Sequence, residues 1–304
     1  LYISLLILSP PPVVPLPSEK LYLSALNPKT PQPLPSLHDA PSVDLSIIIP
    51  AFNEVARLPS MLETTLAHLK SPKYSARTYE ILIIDDESSD GTSAHAIEWA
   101  RGRKGGDEFR VVRLEANLGK GGGVRHGMMH ARGRRLLMVD ADGASRFEDL
   151  ELLWAEMERI APGDGDEPGV VVGSRAHLVD TEAVVKRSFI RNVAMYGLHT
   201  VLRLVGVGHI RDTQCGFKLF TRTAAQQIFP YQHLTGWIFD VEILLIAKQL
   251  DIPVREVPIT WHEVPQSKLK LARDSALMFR DLMLLRANMA FGLWDARKTR
   301  RKME

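Results

Sequence analysis

The pattern of hydrophobic and polar positions changes at about residue 44 of the chain. From there, short apolar runs alternate with longer segments whose apolar residues recur at helical spacing. This alternation predicts an α/β fold in which helices flank both faces of a mostly parallel central sheet. The predicted strands cover 45–49, 81–84, 111–114, 136–139 and 170–172, and the predicted helices cover 55–70, 91–103, 122–132 and 147–160.

The stretch before residue 44 has a different texture. Residues 1–43 are rich in proline and show no sustained period, so we interpret them as an extended connector. The first nine residues, LYISLLILS, are apolar, which fits either the end of a longer membrane anchor or signal, or a short apolar tail. We divide the rest of the chain into an α/β domain over 44–265 and a C-terminal segment over 266–304.

Two segments combine large apolar residues with scattered basic ones. They cover 188–208 and 268–294, and a basic tail follows the second. Amphipathic helices of this kind lie at membrane interfaces, where basic residues favour anionic lipid. The same stripes also suit helices that pack on the sheet, and for 268–294 both interpretations stay open. No run reaches the roughly 20 apolar residues that span a bilayer.

Composition narrows the possible partners. The chain has 38 basic and 36 acidic residues and a formal charge of +2, so it lacks the overall positive field of a nucleic-acid-binding protein. Its single cysteine, Cys215, excludes an intramolecular disulfide and a multi-cysteine zinc site. No neighbour in the sequence would activate that thiol as a nucleophile. A homo-oligomer is compatible with the sequence, which does not determine the oligomeric state.

Polar residues follow the predicted strands, and ligands of such sheets bind beyond the carboxyl ends of the strands. Pro50, Phe52 and Glu54 follow the first strand, and Asp85 and Asp86 follow the second. Two adjacent carboxylates repel each other unless a ligand or donor shares them. For this aspartate pair we therefore favour ligand binding over helix capping.

The third and fourth strands end in two further motifs. Residues 117–123, NLGKGGG, open a helix, where backbone N–H groups and Lys120 could approach an anion. Their spacing matches no phosphate-loop pattern, so a flexible turn is equally compatible. Asp140 and Asp142 follow the fourth strand, and side chains two apart in an extended segment face the same side. This pair favours a hard divalent cation, Mg²⁺ or Mn²⁺, which can also bind a diphosphate.

Cations and carboxylates also lie beyond the fourth strand. Arg175, Arg211 and Lys218 could hold a second phosphate, although each alone is more often a surface cation or an ion-pair partner. Asp240 and Glu242 lie near the start of a predicted helix. They could interact with the helix dipole or border an acceptor site.

Together these motifs resemble the family 2, GT-A-type glycosyltransferases over residues 44–294. The general signal consists of IPAFNE (49–54), DDESSD (85–90), NLGKGG (117–122) and DADG (140–143). A second set is similar to the eukaryotic members that glucosylate dolichyl phosphate: GSRAH (173–177), RDTQCGFKLF (211–220), FDVE (239–242) and SKL (267–269). The chain departs from the pattern at Glu87, Gly236 and Gln266, where glycine, arginine and glycine are expected.

The resemblance implies UDP-glucose as donor, dolichyl phosphate as acceptor and inversion at the anomeric carbon. It also implies a location at the endoplasmic reticulum membrane, with the catalytic domain facing the cytosol. Phe52, Glu54 and Asp86 would hold uridine, and Asp140 and Asp142 the metal and the diphosphate. The remaining implied site residues are Pro50, Asp85 and Lys120 on the nucleotide-sugar side and Asp240, Glu242, Ser267 and Lys268 on the acceptor side.

A phosphate acceptor changes what the site must do. The second pKa of such a phosphate group lies near 6, so at neutral pH the group is mostly dianionic and already nucleophilic. No general base is then required. Our hypothesis is catalysis by positioning and charge neutralisation. Asp142 would act through the metal, and Arg175, Arg211 and Lys218 would hold the phosphates.

Three other functions stay open at this stage. A related polyprenyl-phosphate transferase, for instance one that uses GDP-mannose as a dolichyl-phosphate mannose synthase does, would differ in a few pocket side chains. A catalytically silent sugar-nucleotide-binding protein would not need both Asp140/Asp142 and the run 211–220. A nucleotidyltransferase would carry a glycine-rich loop after the first strand, where this chain has PAFNE.

Overall fold

A nine-stranded sheet forms the centre of the computed structural model, which describes residues 5, 7–101, 103, 108–163, 167–178, 210–264 and 271–298. In the sheet, the strands follow the order β2-β1-β5-β4-β3-β6-β8-β7-β9. The strands are β1 (Leu21–Ser24), β2 (Gln32–Pro33), β3 (Val43–Ala51), β4 (Tyr79–Asp85), β5 (Phe109–Arg113), β6 (Gly133–Val139), β7 (Val170–Ser174), β8 (Phe217–Thr221) and β9 (Val254–Pro258).

The middle of the sheet is parallel, which confirms the predicted α/β fold. Strands β5, β4, β3 and β6 pair in parallel, and Ile47 of β3 lies opposite Ile81 of β4 and Leu137 of β6. All three side chains are fully buried. Helices cover both faces of such a sheet, which explains the continuous apolar runs at 47–49, 81–84 and 136–139 in its central strands.

Seven α-helices accompany the strands in the described part of the chain. They are α1 (Leu58–Leu69), α2 (Thr92–Arg101), α3 (Lys120–Met129), α4 (Leu150–Ile160), α5 (Arg222–Ile228), α6 (Phe239–Gln249) and α7 (Leu271–Ala290). The first four correspond to the predicted helices with shifted ends. A 3₁₀ turn, Phe147–Asp149, replaces the predicted first turn of α4.

The order of the strands creates a switch point between β3 and β6. The chain runs from β3 through β4 to β5 on one side, then returns to place β6 on the other side of β3. Ligands of open α/β sheets bind at such a point, beyond the carboxyl ends of the strands. The residues after β3 and the carboxylates after β6 therefore meet at one edge.

Strand β8 lies within the run 211–220, which sequence reasoning treated as a source of phosphate-binding cations. It inserts antiparallel between β6 and β7, so that Leu219 lies opposite both Leu137 and Val171. Every residue of the strand is buried. The run thus contributes a central strand, and its polar members are positioned by that strand.

Residues 18–39 correct the prediction of an extended connector. Strand β1 adds antiparallel to β5, β2 forms the edge of the sheet beyond it, and Leu37 is fully buried in the main core. The Arg222 guanidinium donates to the carbonyl oxygens of Ser36 (3.3 Å) and Asp39 (2.7 Å). A proline-rich segment can dock in this way because an edge strand pairs through only one of its sides.

Helix α7 belongs to the main core and also has an exposed apolar face. Met278, Leu282 and Leu285 are buried in the same cluster as the sheet residues, whereas Phe279 and Met283 are exposed by 59% and 41%. The buried face confirms that 268–294 packs in the core, and the interfacial interpretation stays a prediction that concerns the exposed face. Within the described ranges, no helix is long and apolar enough to cross a membrane. The predicted segment 188–208 lies outside the described residues.

Candidate active site

Asp140 and Asp142 lie directly beyond the end of β6, as their spacing predicted. The Asp140 backbone N–H donates to the Gly216 carbonyl oxygen (3.1 Å), which continues the pairing with the β8 side of the sheet. The Asp142 side chain accepts a hydrogen bond from the Ala144 backbone N–H at 3.0 Å. This turn holds two carboxylates at the switch point of the sheet.

Lys120 reaches the same place from the first residue of α3. Its ammonium lies 2.7 Å from Asp140 Oδ1 and 5.9 Å from the centre of the Trp237 ring. Burial alone would lower the pKa of Lys120, but the charges of Asp140, Asp240 and Asp142 raise it above its usual value. Lys120 is therefore a fixed cation of the site.

The Asp142 carboxyl is in an environment that opposes its negative charge. Burial raises its pKa, and the neighbouring Asp140 charge raises it further. The Ala144 hydrogen bond and the charges of Arg57 and Lys120 act in the opposite direction. A bound cation would relieve this cost, so the two aspartates fit a divalent metal chemically.

Gly216 fixes the space available to Asp140. A Cβ atom added at Gly216 would overlap the Asp140 carboxylate, at both its carbon and Oδ2. The backbone of residue 216 therefore lies flat against that carboxylate. This contact explains why the run 211–220 matters to a site that it does not itself supply with metal ligands.

Arg57 is a site residue that sequence reasoning missed. It forms a paired ion bridge with Glu54, with Nε–Oε2 at 2.7 Å and Nη2–Oε1 at 2.5 Å. Burial lowers its pKa, but Glu54, Asp142 and Asp140 together raise it, which places the guanidinium in the field of both metal-site carboxylates. Its position three residues after Glu54, directly before α1, was the available signal.

The aspartate pair after β4 has donors within the protein, which is one of the two ways in which adjacent carboxylates can be accommodated, and the favoured ligand binding stays a prediction. Asp85 accepts from the Ser88 backbone N–H and the Ser93 hydroxyl. Asp86 accepts from the backbone N–H groups of Leu118 (2.7 Å) and Gly119 (2.8 Å). Burial nevertheless raises the pKa of Asp86 to about 6.

At the end of β3, Pro50 is half-buried; beyond the strand, Glu54 is buried and the Phe52 side chain is 40% exposed. The exposed ring lies on the edge where a ligand could reach it. Two of the three residues predicted to hold uridine, Phe52 and Glu54, thus lie just beyond the end of β3.

The glycine-rich turn serves close packing more than direct anion contact. Gly119 has a φ of 84°, and the Gly122 N–H donates to the Thr235 carbonyl oxygen at 3.1 Å. A side chain at Gly121 would overlap Phe239 at the start of α6. The glycines therefore allow α3 to pack against residues 235–239, and this packing places Lys120 beside Asp140.

Lys218 and Asp240 form a buried pair, which does not fit their predicted direct contacts with substrates. Lys218 is fully buried, and its ammonium donates to Asp240 and to the Cys215 carbonyl oxygen (2.6 Å). Burial raises the pKa of Asp240, while the charges of Lys218 and Lys120 lower it. Asp240 also interacts electrostatically with Lys120 and Asp140, which couples the pair to the site.

Glu242 also has a structural role instead of the predicted place beside an acceptor. It is fully buried and accepts from the backbone N–H groups of His233 (2.9 Å) and Leu234 (2.7 Å). It thereby fixes the loop before α6.

The two arginines of the predicted phosphate cradle are placed differently. Arg175 pairs with Asp212 through two contacts of 2.7 and 2.8 Å, and its side chain is 32% exposed. Arg211 is exposed at the surface, and its backbone N–H donates to Glu256. The two acceptor-side residues Ser267 and Lys268 lie outside the described residues.

Two other kinds of chemistry were considered: a cysteine nucleophile and a metal site formed by protein side chains alone. Cys215 is buried, and burial raises the pKa of its thiol to about 12, which agrees with the prediction that it is no nucleophile. Among the described residues, no group of three or more His, Cys, Asp or Glu side chains is arranged to hold a metal ion by itself.

Comparisons with known proteins agree with this geometry. Residues 46–229 match the model of the family described as Glycosyl transferase family 2. The dolichyl-phosphate beta-glucosyltransferase of Saccharomyces cerevisiae is 43% identical over 98% of this chain and 92% of that protein. The protein of the same name from Homo sapiens is 40% identical over 93% of this chain and 86% of that protein.

A solved structure supports the fold independently. Glucosyl-3-phosphoglycerate synthase from Mycobacterium tuberculosis, in complex with Mn²⁺, UDP-glucose and phosphoglyceric acid, superposes with a TM-score of 0.54. The match covers 81% of this chain and 80% of that chain at 17% identity, so it concerns the fold alone. With the family match and the similarity to the two relatives, it leads to one conclusion. The chain is a glycosyltransferase that belongs to glycosyl transferase family 2, in the group of the dolichyl-phosphate beta-glucosyltransferases.

Proposed function

We propose that this protein transfers glucose from UDP-glucose to dolichyl phosphate with inversion, which gives dolichyl β-D-glucosyl phosphate and UDP. The observation that carries the proposal is the meeting of Asp140, Asp142, Lys120 and Arg57 at the switch point of the sheet. Paired carboxylates flanked by cations suit a nucleotide diphosphate. The names of the relatives, which align over most of the chain, support this donor and acceptor.

The metal would be held by Asp140 and Asp142 together with diphosphate oxygens. Mg²⁺ typically takes only one or two carboxylates from the protein and completes its shell with water and substrate phosphates. Mg²⁺ and Mn²⁺ both suit these hard oxygen donors, and the M. tuberculosis synthase of similar fold is described with Mn²⁺. When bound, such an ion neutralises negative charge on the leaving UDP.

The residues of the chain supply positioning and charge. Gly216 holds the Asp140 carboxylate in place, and Lys120 presents its ammonium beside the same carboxylate. Arg57 adds a second cation on the β3 side of the site. Because the acceptor phosphate is already nucleophilic near neutral pH, these groups need only bring two anionic substrates together.

A donor screen tests this proposal. The purified protein and Mg²⁺ would be incubated with dolichyl phosphate and radiolabelled UDP-glucose, GDP-mannose or UDP-GlcNAc, and the lipid extracted. We expect label in the lipid from UDP-glucose alone, lost when EDTA is added. Label from GDP-mannose instead would keep the fold and mechanism but replace the donor, and no label from any donor would overturn the proposed reaction.

We also propose that the protein works at the cytosolic face of the endoplasmic reticulum membrane, where its lipid acceptor would lie. Phe279 and Met283 lie one turn apart on the exposed face of α7, with Arg280 and Arg286 exposed beside them. Exposed apolar and basic side chains together favour an anionic lipid surface.

Liposome flotation tests the membrane proposal. Phe279→Asp/Met283→Asp should abolish flotation with vesicles that contain anionic lipid, because two charges replace the apolar contacts. Leu152→Asp is the matched control, since Leu152 is 48% exposed on α4. Flotation of the double variant at the wild-type level would remove this face of α7 from membrane binding.

A further inference from the structure

A cavity of about 350 Å³ lies between α7, residues 234–237 and the N-terminal residues 8–10. The apolar residues that line the cavity lie on both sides of this gap: Leu8, Trp237, Leu277, Met278 and Leu284. Arg280 and Asp281 supply polar groups and form an ion pair of 2.7 Å. The volume is at the lower end of the range for small-molecule sites, roughly 300–1,000 Å³.

The cavity is connected to the site at Asp140 through Trp237. The Trp237 ring lines the cavity, and its centre lies 5.9 Å from the Lys120 ammonium. The same ammonium lies 2.7 Å from Asp140. In addition, the Thr235 carbonyl oxygen of the cavity wall accepts from Gly122 of α3. One segment therefore separates the cavity from the metal-site carboxylates.

The chemistry of the wall selects an amphiphile over a small polar acceptor. Met278 and Leu284 are buried, and Leu8 is 63% exposed at the rim, so an apolar chain could run from inside the cavity to the surface. A cation, Lys120, lies at the Trp237 end, where an anionic head group would sit. A phosphorylated sugar or glycerate could contact Arg280 and Thr235 of the lining, but it would leave the apolar side chains without a partner.

We propose that this cavity binds the first isoprene units of a polyprenyl phosphate, with the phosphate at the Trp237 end. This inference rests on the proposed function and adds the place where the acceptor lipid lies. The cavity is too small for a long prenyl chain, so the remainder leaves past Leu8. The apolar wall, and not the exposed face of α7, then determines how strongly the proximal part of the chain binds.

Gly236 offers a way to close the cavity without strain in the backbone. A Cβ atom at this position would meet only the Asp281 carboxylate, at 3.2 Å, and its φ is not in the left-handed region. Gly236→Leu would therefore fill the space with a side chain. Leu277→Gln keeps the size of the wall residue but makes it polar.

The test uses the full chain in detergent, with polyprenyl phosphates of one, three and many isoprene units as acceptors. We expect both variants to raise the KM for the long acceptor at least tenfold. The KM for the one-unit acceptor should also rise, because that unit occupies the cavity, whereas the KM for UDP-glucose should stay at the wild-type value. Phe291→Gln is the matched control, because Phe291 is 52% exposed and does not line the cavity.

A second measurement does not depend on turnover. A polyprenyl phosphate with a photoreactive diazirine in its second isoprene unit should label residues 277–284 and Trp237, and unlabelled dolichyl phosphate should compete. Labelling there by a protein that transfers no glucose would keep the cavity assignment while the proposed function fails. Labelling elsewhere, or unchanged acceptor KM values in both variants, would overturn the cavity assignment.

Discussion

Gly216 illustrates how a residue without a side chain can control a charged one. Gly216 lies in the run 211–220, for which the sequence predicted phosphate-binding cations. Its own contribution is the space that it leaves for the Asp140 carboxylate. Because this carboxylate also pairs with Lys120, a shift at residue 216 would move two charged groups at once.

Gly216→Ala should lower transfer by about 100-fold, the size of effect that a displacement of about 1 Å at a catalytic group can produce. Its thermal midpoint should change little compared with its activity. Gly123→Ala is the control, because a Cβ there meets Pro50 and Ile84 only at ordinary contact distances of 3.5 and 3.7 Å. Equal activity in the two variants would show that Gly216 does not position Asp140.

The buried Lys218–Asp240 pair leads to a prediction about the free energy of unfolding. Lys218→Met leaves Asp240 buried without its partner, and breaking a buried pair costs about 3–5 kcal/mol of unfolding free energy. The double variant Lys218→Met/Asp240→Leu should recover most of that loss in urea denaturation. A single variant as stable as the wild type would contradict the pairing.

At this scale the sequence predicted that Asp140 and Asp142 lie together at a strand end, but it did not predict the burial of Lys218. The two-residue spacing of Asp140 and Asp142 is a local signal, since it follows from the geometry of one strand end. The burial of Lys218 depends on β8 pairing with β6 and β7, which lie far from it in the chain. Long-range pairing of that kind leaves no trace in local periodicity.

At the scale of elements, α3 joins the site to the N-terminal segment. Its first residue is Lys120, and further along the same helix His126 Nε2 lies 2.8 Å from the Glu19 carbonyl oxygen. His130 Nδ1, one turn on, lies 2.7 Å from the Pro35 carbonyl oxygen. Neutral imidazoles therefore help to hold β1 and β2 against the sheet.

Acid should weaken this docking. Burial, with the charge of His130, lowers the pKa of His126 to about 4, below the value of about 6.5 in an unfolded chain. The contribution of His126 is therefore complete above pH 6.5 and is lost as pH falls towards 4. Hydrogen exchange of the β1 amides, corrected for the intrinsic rate, should report a loss of about 1 kcal/mol between pH 7.5 and 5.5.

His126→Gln separates this effect from the other groups that face the ring, namely His130, Arg125 and Glu19. A glutamine amide can donate to Glu19 without titrating, so the pH dependence should become shallower. The same slope in the variant and the wild type would contradict a role for His126.

The helices of the α/β core were predictable because each one buries an apolar stripe of its own. Residues 18–39 were not, because proline removes backbone donors and these residues have no period that would indicate a strand. Their partner is the edge of β5, and the pairing of Leu23 with Val111 is visible only in the assembled sheet.

At the scale of the whole molecule, strand order determines which strand ends meet. The carboxyl ends of β3, β4 and β6 converge because β6 returns to the far side of β3. Sequence motifs predicted which strand ends carry chemistry, and the family resemblance predicted the reaction. The position of α7 beside the cavity could not be predicted from the sequence, because its apolar stripe fits both a core helix and an interfacial helix.

The central claim is that the strand-end carboxylates perform the transfer of glucose to dolichyl phosphate. Asp142→Asn tests it most directly, because asparagine keeps the shape and can still accept from the Ala144 N–H while losing the charge. We expect lipid labelling from UDP-glucose to fall by about 10³-fold, since a metal supplies several kcal/mol of charge stabilisation. The circular dichroism spectrum and thermal midpoint should stay close to the wild type. Near-normal turnover in a folded Asp142→Asn protein would contradict the claim.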